Sequence, residues 1–184
     1  KWELKVDESV TPDWFDADNI RVKLEELVAT FIVKKDKKLL TGGPWILVGK
    51  AKVKKAVNAR IISMCDSSQI GTMYSSSQVG EMYHSSQVGM MYHSSQVGTM
   101  WDSSQVGEMY NSSQVGTMWD SSQVGEMRDS SQVGTMYSSS QVGEMYHSSQ
   151  VGAMWSSSQV GVMRGSSQVG MMYHSSQVGT MWDS

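Results

Sequence analysis

A nine-residue repeat is the feature that most constrains the fold of this chain. The pattern Ser-Ser-Gln-Val-Gly-x-Met-x-x recurs thirteen times without a gap from Ser67 to Asp183, with Ile70 in place of the first Val. A fixed short period predicts a repeat architecture in which each unit packs against its neighbours along one axis. Each unit carries a Val or Ile and a Met, so it has the apolar side chains for a core that disordered low-complexity segments lack.

The repeat decays gradually toward the N-terminus. Residues 58–66 align with the unit position by position, with Ile61 at the Val position and Met64 at the Met position. Residues 50–57 resemble a shorter, eight-residue version. We therefore expect a solenoid at 44–184, after the Thr41-Gly42-Gly43-Pro44 break, with degenerate repeats at 50–66 and regular repeats at 67–183.

Residues 1–43 are predicted to form a small α/β cap. Asp16 or Asp18 is placed to cap a helix, residues 31–33 read as a strand, and the lysine-rich residues 34–38 read as a turn. The predicted helix has apolar residues at helical spacing, namely Ile20, Leu24, Leu27, Val28 and Phe31. A strand is the alternative here, because Ile20, Val22 and Leu24 also alternate.

Residue types within the unit predict which positions face inward. Counted from the first Ser, positions six, eight and nine accept charge, as at Glu108, Arg128 and Asp129, and therefore point outward. Position four is always Val or Ile and position seven always Met, so both should form the core. Strand alternation then puts the second Ser inward and Gln outward. Because Val and Met lie three residues apart, we expect Gly at position five to bend the chain with a positive φ.

The size of one coil follows from position six. Nine residues cannot enclose a core, whereas two repeats, or 18 residues, can. From Thr99 to Glu144, Thr and Glu alternate strictly at position six, so an 18-residue coil stacks Thr on Thr and Glu on Glu. Fourteen repeats, counted from Asn58, give seven coils and a length of roughly 34 Å at about 4.8 Å per strand. The predicted fold is an all-β solenoid of nine-residue repeats.

Two groups of repeat proteins resemble this chain. In period it is similar to the nonapeptide rolls of calcium-binding secreted toxins, but Ser-Ser-Gln-Val-Gly stands where those rolls need Gly-Gly-x-Gly-x-Asp, so their calcium role does not carry over. Residues 44–184 also resemble short-repeat solenoids of bacteria and phages, in which Ser-Ala-Thr-Val-type units follow a small cap. This resemblance implies a β-solenoid and leaves the function open.

The sequence predicts no catalytic, cofactor or metal site, and hence no enzyme. Catalysis needs a unique constellation, and thirteen copies of Ser-Ser-Gln provide none; a Gly-x-Ser-x-Gly motif is also absent. All four histidines occupy position nine. His93 and His147 share a column but would lie three coils, or roughly 14 Å, apart, which is too far to share a metal. Cys65 reads as an incidental free thiol.

Charge and targeting signals restrict the partners. Residues 1–66 carry 13 Lys and Arg against 10 Asp and Glu, whereas residues 67–184 carry 2 against 8. An acidic array is a poor candidate for a nucleic-acid groove. The sequence has no apolar run long enough to span a membrane, no secretory signal and a single cysteine, so we expect a cytoplasmic or virion-associated protein.

Position eight carries the most suggestive side chains. In odd-numbered repeats it reads Tyr74, Tyr92, Tyr110, Arg128, Tyr146, Arg164 and Trp182. In even-numbered repeats it holds an uninterrupted aromatic column, the candidate interface, made of Tyr83, Trp101, Trp119, Tyr137, Trp155 and Tyr173. Such a column either stabilises the stack, at about 0.5–1.5 kcal/mol per pair, or presents a flat apolar stripe to a partner.

Position six offers two further outward columns. Glu108, Glu126 and Glu144 should lie about 4.8 Å apart, where they either recruit a cation or remain solvated carboxylates that splay apart. Thr99, Thr117 and Thr135 form a short threonine column, which supports ice binding as an alternative function. The predicted function is a non-enzymatic structural or binding module that presents aromatic, Gln and Thr/Glu ladders.

The last repeat predicts self-association. A solenoid usually needs a terminal cap, because its final coil otherwise exposes core side chains and an unpaired strand edge. The final repeat matches the pattern in full and would expose Gln177, Val178, Met181 and Trp182. We expect two copies to meet at this end about a two-fold axis and form a homodimer.

Overall fold

The computed structural model describes residues 16–182 and consists of one helix followed by sixteen strands. The N-terminal elements are α1 (Ala17–Phe31), β1 (Ile32–Val33) and β2 (Lys37–Leu47), of which β2 also pairs with the first solenoid strand. The solenoid strands are β3 (Lys52–Met64), β4 (Gln69–Tyr74), β5 (Gln78–Met82), β6 (Gln87–Met91), β7 (Gln96–Met100), β8 (Gln105–Met109), β9 (Gln114–Met118), β10 (Gln123–Met127), β11 (Gln132–Met136), β12 (Gln141–Met145), β13 (Gln150–Met154), β14 (Gln159–Arg164), β15 (Gln168–Met172) and β16 (Gln177–Trp182).

The strands wind into a parallel solenoid with two faces. We call the even-numbered strands β4 to β16 the tyrosine face and the odd-numbered strands β5 to β15 the tryptophan face, after their position-eight residues. Each strand pairs in parallel with the strand two further along the chain. The long strand β3 joins the faces, because Lys52–Val57 pairs with β4 and Arg60–Met64 pairs with β5.

The register confirms the 18-residue coil. Thr99 pairs with Thr117, and Glu108 pairs with Glu126, so like residues stack as predicted. The seven coils expected from Asn58 onward are preceded by one further turn from β2 and the first half of β3, which brings the solenoid to about eight turns.

The core contains the residues that the repeat pattern predicts. In the central coils the Val side chains are about 1 % exposed and the Met side chains fully buried, and the second Ser of each unit is also fully buried. Gln points outward at position three. A small inward Ser leaves room for the long Met side chains, and stacking these units joins the core into one continuous cluster.

The predicted role of the repeat glycine is wrong. Gly at position five lies inside a five-residue strand and does not adopt a positive φ; among the described glycines only Gly42, Gly43, Gly49 and Gly165 do so. The repeat glycines are needed for close approach instead. A Cβ on Gly125 would lie 2.5 Å from the carbonyl oxygen of Gly107 in the coil below, which is a steric clash.

The corner of each repeat lies at positions nine and one. Position-nine residues adopt the left-handed conformation, with φ of 58° at His93, 57° at Ser138 and 62° at Gly165. Asn, Asp, His, Ser and Gly occupy this position, and Asn, Asp, His and Gly are the residue types that tolerate this conformation best. The chain therefore turns here, and one repeat forms a single strand and a corner.

The cap contains the predicted helix. Asp16 caps α1 by accepting a hydrogen bond from the backbone N–H of Asn19 at 3.0 Å, as expected. The strand at Ile32–Val33 is also present and pairs with β2. Strand β2 begins at Lys37, inside the predicted turn, and continues across residues 41–44. Two residues of the predicted apolar stripe, Leu24 and Leu27, remain exposed.

Candidate binding surfaces

The aromatic side chains of the tryptophan face stack into one column. The ring centroids of Trp119 and Tyr137 lie 4.1 Å apart, and those of Trp155 and Tyr173 lie 4.0 Å apart. Trp101 lies 5.5 Å from Trp119, and Tyr137 lies 6.3 Å from Trp155. The planes of these four pairs deviate by no more than 15°. Tyr83 occupies the next position below Trp101.

The stacked side chains of this column remain partly accessible to solvent. Tyr83, Trp101, Trp119, Tyr137 and Trp155 are half-buried, and Tyr173 is exposed. The rings of Trp119, Tyr137 and Trp155 are each covered on both faces by the rings above and below, while their outer edges remain partly accessible. The result is an apolar stripe in which the indole N–H of Trp101 is buried and the Tyr83 hydroxyl donates to Glu81.

The corresponding column of the tyrosine face alternates between aromatic and cationic groups. Tyr74, Tyr92 and Tyr110 stack at 5.3 and 5.0 Å between ring centroids. Above them, the guanidinium of Arg128 lies 6.0 Å from the Tyr110 ring and 4.7 Å from the Tyr146 ring. Cation–π contacts therefore continue the stack where aromatic pairs stop.

The glutamates of this face bind the position-eight residue of their own repeat. The hydroxyl groups of Tyr110 and Tyr146 donate to Glu108 and Glu144, and Arg128 donates to Glu126 at 2.6 Å. The hydrogen bond to Glu108, together with burial, raises the pKa of Tyr110 from 10.0 to about 12. The hydrogen bond to Glu144 likewise raises the pKa of Tyr146. The glutamate column is thus partnered along each strand.

These pairs between positions six and eight were missed by the analysis of the sequence. The periodicity relates like positions in successive repeats and carries no information on contacts between different positions within one repeat. The sequence does contain this pattern. In three consecutive odd-numbered repeats, a Tyr or Arg that can donate a hydrogen bond follows Glu by two residues. In the even-numbered repeats opposite them, Thr precedes Trp or Tyr.

The threonine and glutamine columns have the predicted positions. Thr99, Thr117 and Thr135 stack in register, and the column ends at Glu81 and Ala153. On the tyrosine face, the Gln69 and Gln87 side-chain amides each donate to the Gln of the next coil at 3.5 Å. A groove runs beside each Gln column, over the side-chain-free glycines.

Two histidines at the corners lie close to aspartates of neighbouring coils. His84 Nδ1 lies 3.1 Å from an Asp102 carboxylate oxygen, and His147 Nδ1 lies 3.6 Å from Asp129. Within residues 16–182, no three His, Cys, Asp or Glu side chains are grouped so that they could hold a metal ion. Cys65 is a half-buried free thiol.

The last coil exposes part of the core. Strands β15 and β16 are the two ends of the sheet order, so each has one unpaired edge among the described residues. Met172 is 45 % exposed and Met181 is 73 % exposed, whereas the equivalent Met side chains of the central coils are fully buried. Val178 is half-buried, and Gln177 and Trp182 are exposed.

Comparison with known proteins leaves the chain without a family assignment. No protein-family model matches it, and no similar curated protein or solved structure was found. In the part of the chain from residue 16 to 182, no helix has the length and apolar character needed to cross a membrane.

Proposed function

We propose that this β-solenoid is a non-enzymatic binding module whose tryptophan face docks a protein partner. The observation that carries the proposal is the column of nearly parallel aromatic rings from Trp101 to Tyr173. Contiguous apolar surface on a folded protein usually marks an interaction site. Aromatic residues are also enriched where partners bind.

Preorganisation supports this assignment. A partner that orders a mobile side chain loses roughly 0.5–1.5 kcal/mol of binding free energy for each one. In the column, the rings above and below already fix each side chain, so little of this cost remains. A stacked column on a rigid stack of strands is therefore a favourable surface for binding.

The contrast between the two faces supports the tryptophan face as the proposed interface. On the tyrosine face, Arg128 and Arg164 interrupt the aromatic column, and Glu108, Glu126 and Glu144 line it. Charged residues are depleted at the centre of protein interfaces. At position six the neighbours of the tryptophan column are uncharged from Thr99 onward, namely Thr99, Thr117, Thr135, Ala153 and Met171, and Glu81 beside Tyr83 is the charged exception at the lower end.

Binding assays on two matched variants test the proposal. The first variant carries Trp101→Ser, Trp119→Ser and Trp155→Ser, and the control carries Tyr74→Ser, Tyr92→Ser and Tyr146→Ser on the other face. Each is used to retain partners from extracts of the producing cells, with circular dichroism to verify folding. We expect the tryptophan variant alone to lose the partner that the unmodified chain retains. Equal retention by all three proteins would leave the column with a stabilising role only.

We further propose that copies of the chain associate through the last turn. The exposed Met172, Met181 and Trp182 side chains and the unpaired edges of β15 and β16 support this contact. A two-fold axis would pair these edges and continue the core, which gives a closed dimer. Light scattering on the purified chain at micromolar concentration should report twice the monomer mass, and Met181→Lys should restore the monomer. A monomer in both cases would contradict the contact.

A further inference from the structure

A groove on the tyrosine face runs along the solenoid axis from a cationic base. Its floor is formed by Gly71, Gly89, Gly107 and Gly125, and one wall by the Gln column. Its volume is about 770 Å³, which lies within the usual range of roughly 300–1,000 Å³ for ligand sites. The proposed protein interface does not use this surface.

Lysines close the lower end of the groove. Lys52 pairs with Gln69 and so continues the Gln column, while Lys54 lies directly beneath Gly71. The register of β2 and β3, with Lys37 opposite Val53 and Leu39 opposite Lys55, sets Lys38 beside Lys54. Like charges in adjacent strands repel each other. Asp36 also lines this end and accepts a hydrogen bond from the backbone N–H of Lys52 at 3.0 Å, but four lysines, Lys37, Lys38, Lys52 and Lys54, line it as well, so the net charge of this end is positive.

The body of the groove suits a flat, rigid ligand. Its floor consists of glycine backbone, which presents peptide planes and Cα hydrogens with no side chain above them. The amide groups of Gln69 and Gln87 already donate to the next Gln, so a ligand rich in hydroxyl groups would compete for them. A flexible chain would lose rotational freedom on binding, whereas a planar aromatic body loses little.

From these contacts we infer that the tyrosine-face groove binds an elongated planar aromatic anion. Its acidic end lies at the ammonium groups of Lys38, Lys52 and Lys54, and its flat body lies along the glycine floor. From Gly71 to Gly125 the floor spans three strand spacings, or about 14 Å, the length of two to three fused or linked rings.

The groove of the tryptophan face provides an internal comparison. It is smaller, at about 490 Å³, and Arg60 is the single basic residue that lines it. At its base, the exposed Ile62 occupies the position that glycine holds in the other coils. The cationic base and the open floor therefore occur together on the tyrosine face.

Congo red, in which azo groups join a biphenyl to two aminonaphthalenesulfonates, is a suitable probe: one sulfonate can reach the lysines, and the part of the dye that is longer than the floor can continue over Gly143 in the next coil. Isothermal titration should give one molecule per chain for the unmodified protein. Combined Lys38→Gln, Lys52→Gln and Lys54→Gln should weaken the affinity about tenfold, since each exposed ion pair contributes a fraction of the binding free energy. Benzenesulfonate, which has the acidic end without the elongated body, should bind at least about tenfold more weakly than Congo red.

Two control variants decide the location of the site. Combined Lys34→Gln, Lys35→Gln and Lys50→Gln removes the same charge outside the groove, and should change the affinity less than about twofold. The Trp101→Ser, Trp119→Ser and Trp155→Ser variant should bind Congo red normally, whether or not the tryptophan face binds a protein. Equal weakening by both lysine variants, no weakening by either, or loss of binding in the tryptophan variant would overturn the inference. Circular dichroism verifies the fold of each variant.

Discussion

Gly125 lies so close above Gly107 that a Cβ on Gly125 would come within 2.5 Å of the Gly107 carbonyl oxygen. That oxygen belongs to the backbone of a paired strand and cannot move without disturbing the stack. We therefore expect Gly125→Ala to lower the free energy of unfolding by about 1–3 kcal/mol, as overpacked core sites do. Urea denaturation followed by circular dichroism measures the change.

Thr135→Ala, in the next repeat and on an outward position, is the control for this substitution. It should change the free energy of unfolding by less than about 1 kcal/mol, because the substitution at this outward position adds no atom that could clash with the backbone. Equal stability of the two variants would show that the glycine column is not required for the close approach of coils.

A substitution pair at neighbouring positions tests which side chains form the core. Met118 is fully buried, so Met118→Asp would place an unpaired charge in the core and should unfold the central coils. Thr117 points outward between two other threonines, and Thr117→Asp should be tolerated within about 1 kcal/mol. Similar melting temperatures for the two variants would refute the assigned orientations.

The corner residue Ser138 is a test of backbone conformation. Its φ of 57° lies in the left-handed region, where a β-branched side chain is strongly disfavoured. Ser138→Val should lower the free energy of unfolding by about 2 kcal/mol, whereas Ser138→Gly should leave it unchanged or raise it by up to about 1 kcal/mol. Thermal melts of both variants measure this difference, and a valine variant as stable as the glycine variant would contradict a corner at position nine.

The hydrogen bond between Tyr110 and Glu108 predicts a dependence on alkaline pH. The carboxylate raises the pKa of Tyr110 to about 12, so the neutral phenol is favoured in the folded chain. The stabilisation is therefore complete below pH 10, the usual pKa, and is lost as the pH rises from 10 to about 12. Glu108→Gln should return the pKa of Tyr110 toward 10.

Absorbance titration at the phenolate band follows this ionisation, and the difference from a Tyr110→Phe variant isolates Tyr110. Substitution of Thr99 on the opposite face, by Thr99→Ala, should leave the titration unchanged. A Tyr110 midpoint that stays the same in the Glu108→Gln variant would show that the glutamate does not hold the phenol.

The repeat made much of this fold predictable, because the residue types found at one position in all repeats indicate whether that position faces the core or the solvent. Charge at Glu108 and Arg128 identified outward positions, and the alternation of Thr and Glu identified the 18-residue coil. Both inferences compare equivalent residues, which is what a stacked structure places in contact. The invariant Val and Met then had to form the core.

The role of the glycine was not predictable in the same way. Glycine is required at position five because a backbone atom of the coil below lies too close for a Cβ, as the Gly107 carbonyl oxygen does at Gly125. Residues adjacent in sequence do not reveal that distance. The corner at position nine did leave a signal, since Asp, Asn, His, Ser and Gly all occur there. The exposure of Leu24 and Leu27 could not be predicted from their helical spacing, because an apolar stripe on a helix does not specify which other element packs against it.

The candidate interface was predictable as a column, but its geometry was not. Trp119 and Tyr137 both occupy position eight and lie one coil apart, which indicates that their rings stack. The angles between the rings depend on side-chain rotamers, which the sequence does not specify. The pairing of Tyr110 with Glu108 is likewise set by side-chain directions within one strand. These details separate an apolar face from a charged one, and the proposed function depends on that difference.

Site-specific photo-crosslinking tests most directly whether the tryptophan column is the surface that a protein partner contacts. Tyr137 is replaced by the photoreactive p-benzoylphenylalanine in one protein and Tyr92 in another, so that each face carries one probe of similar size. Irradiation in extracts of the producing cells, followed by mass spectrometry, should give a discrete protein adduct from position 137 and none from position 92. Adducts of equal yield from both positions, or from position 92 alone, would contradict the account.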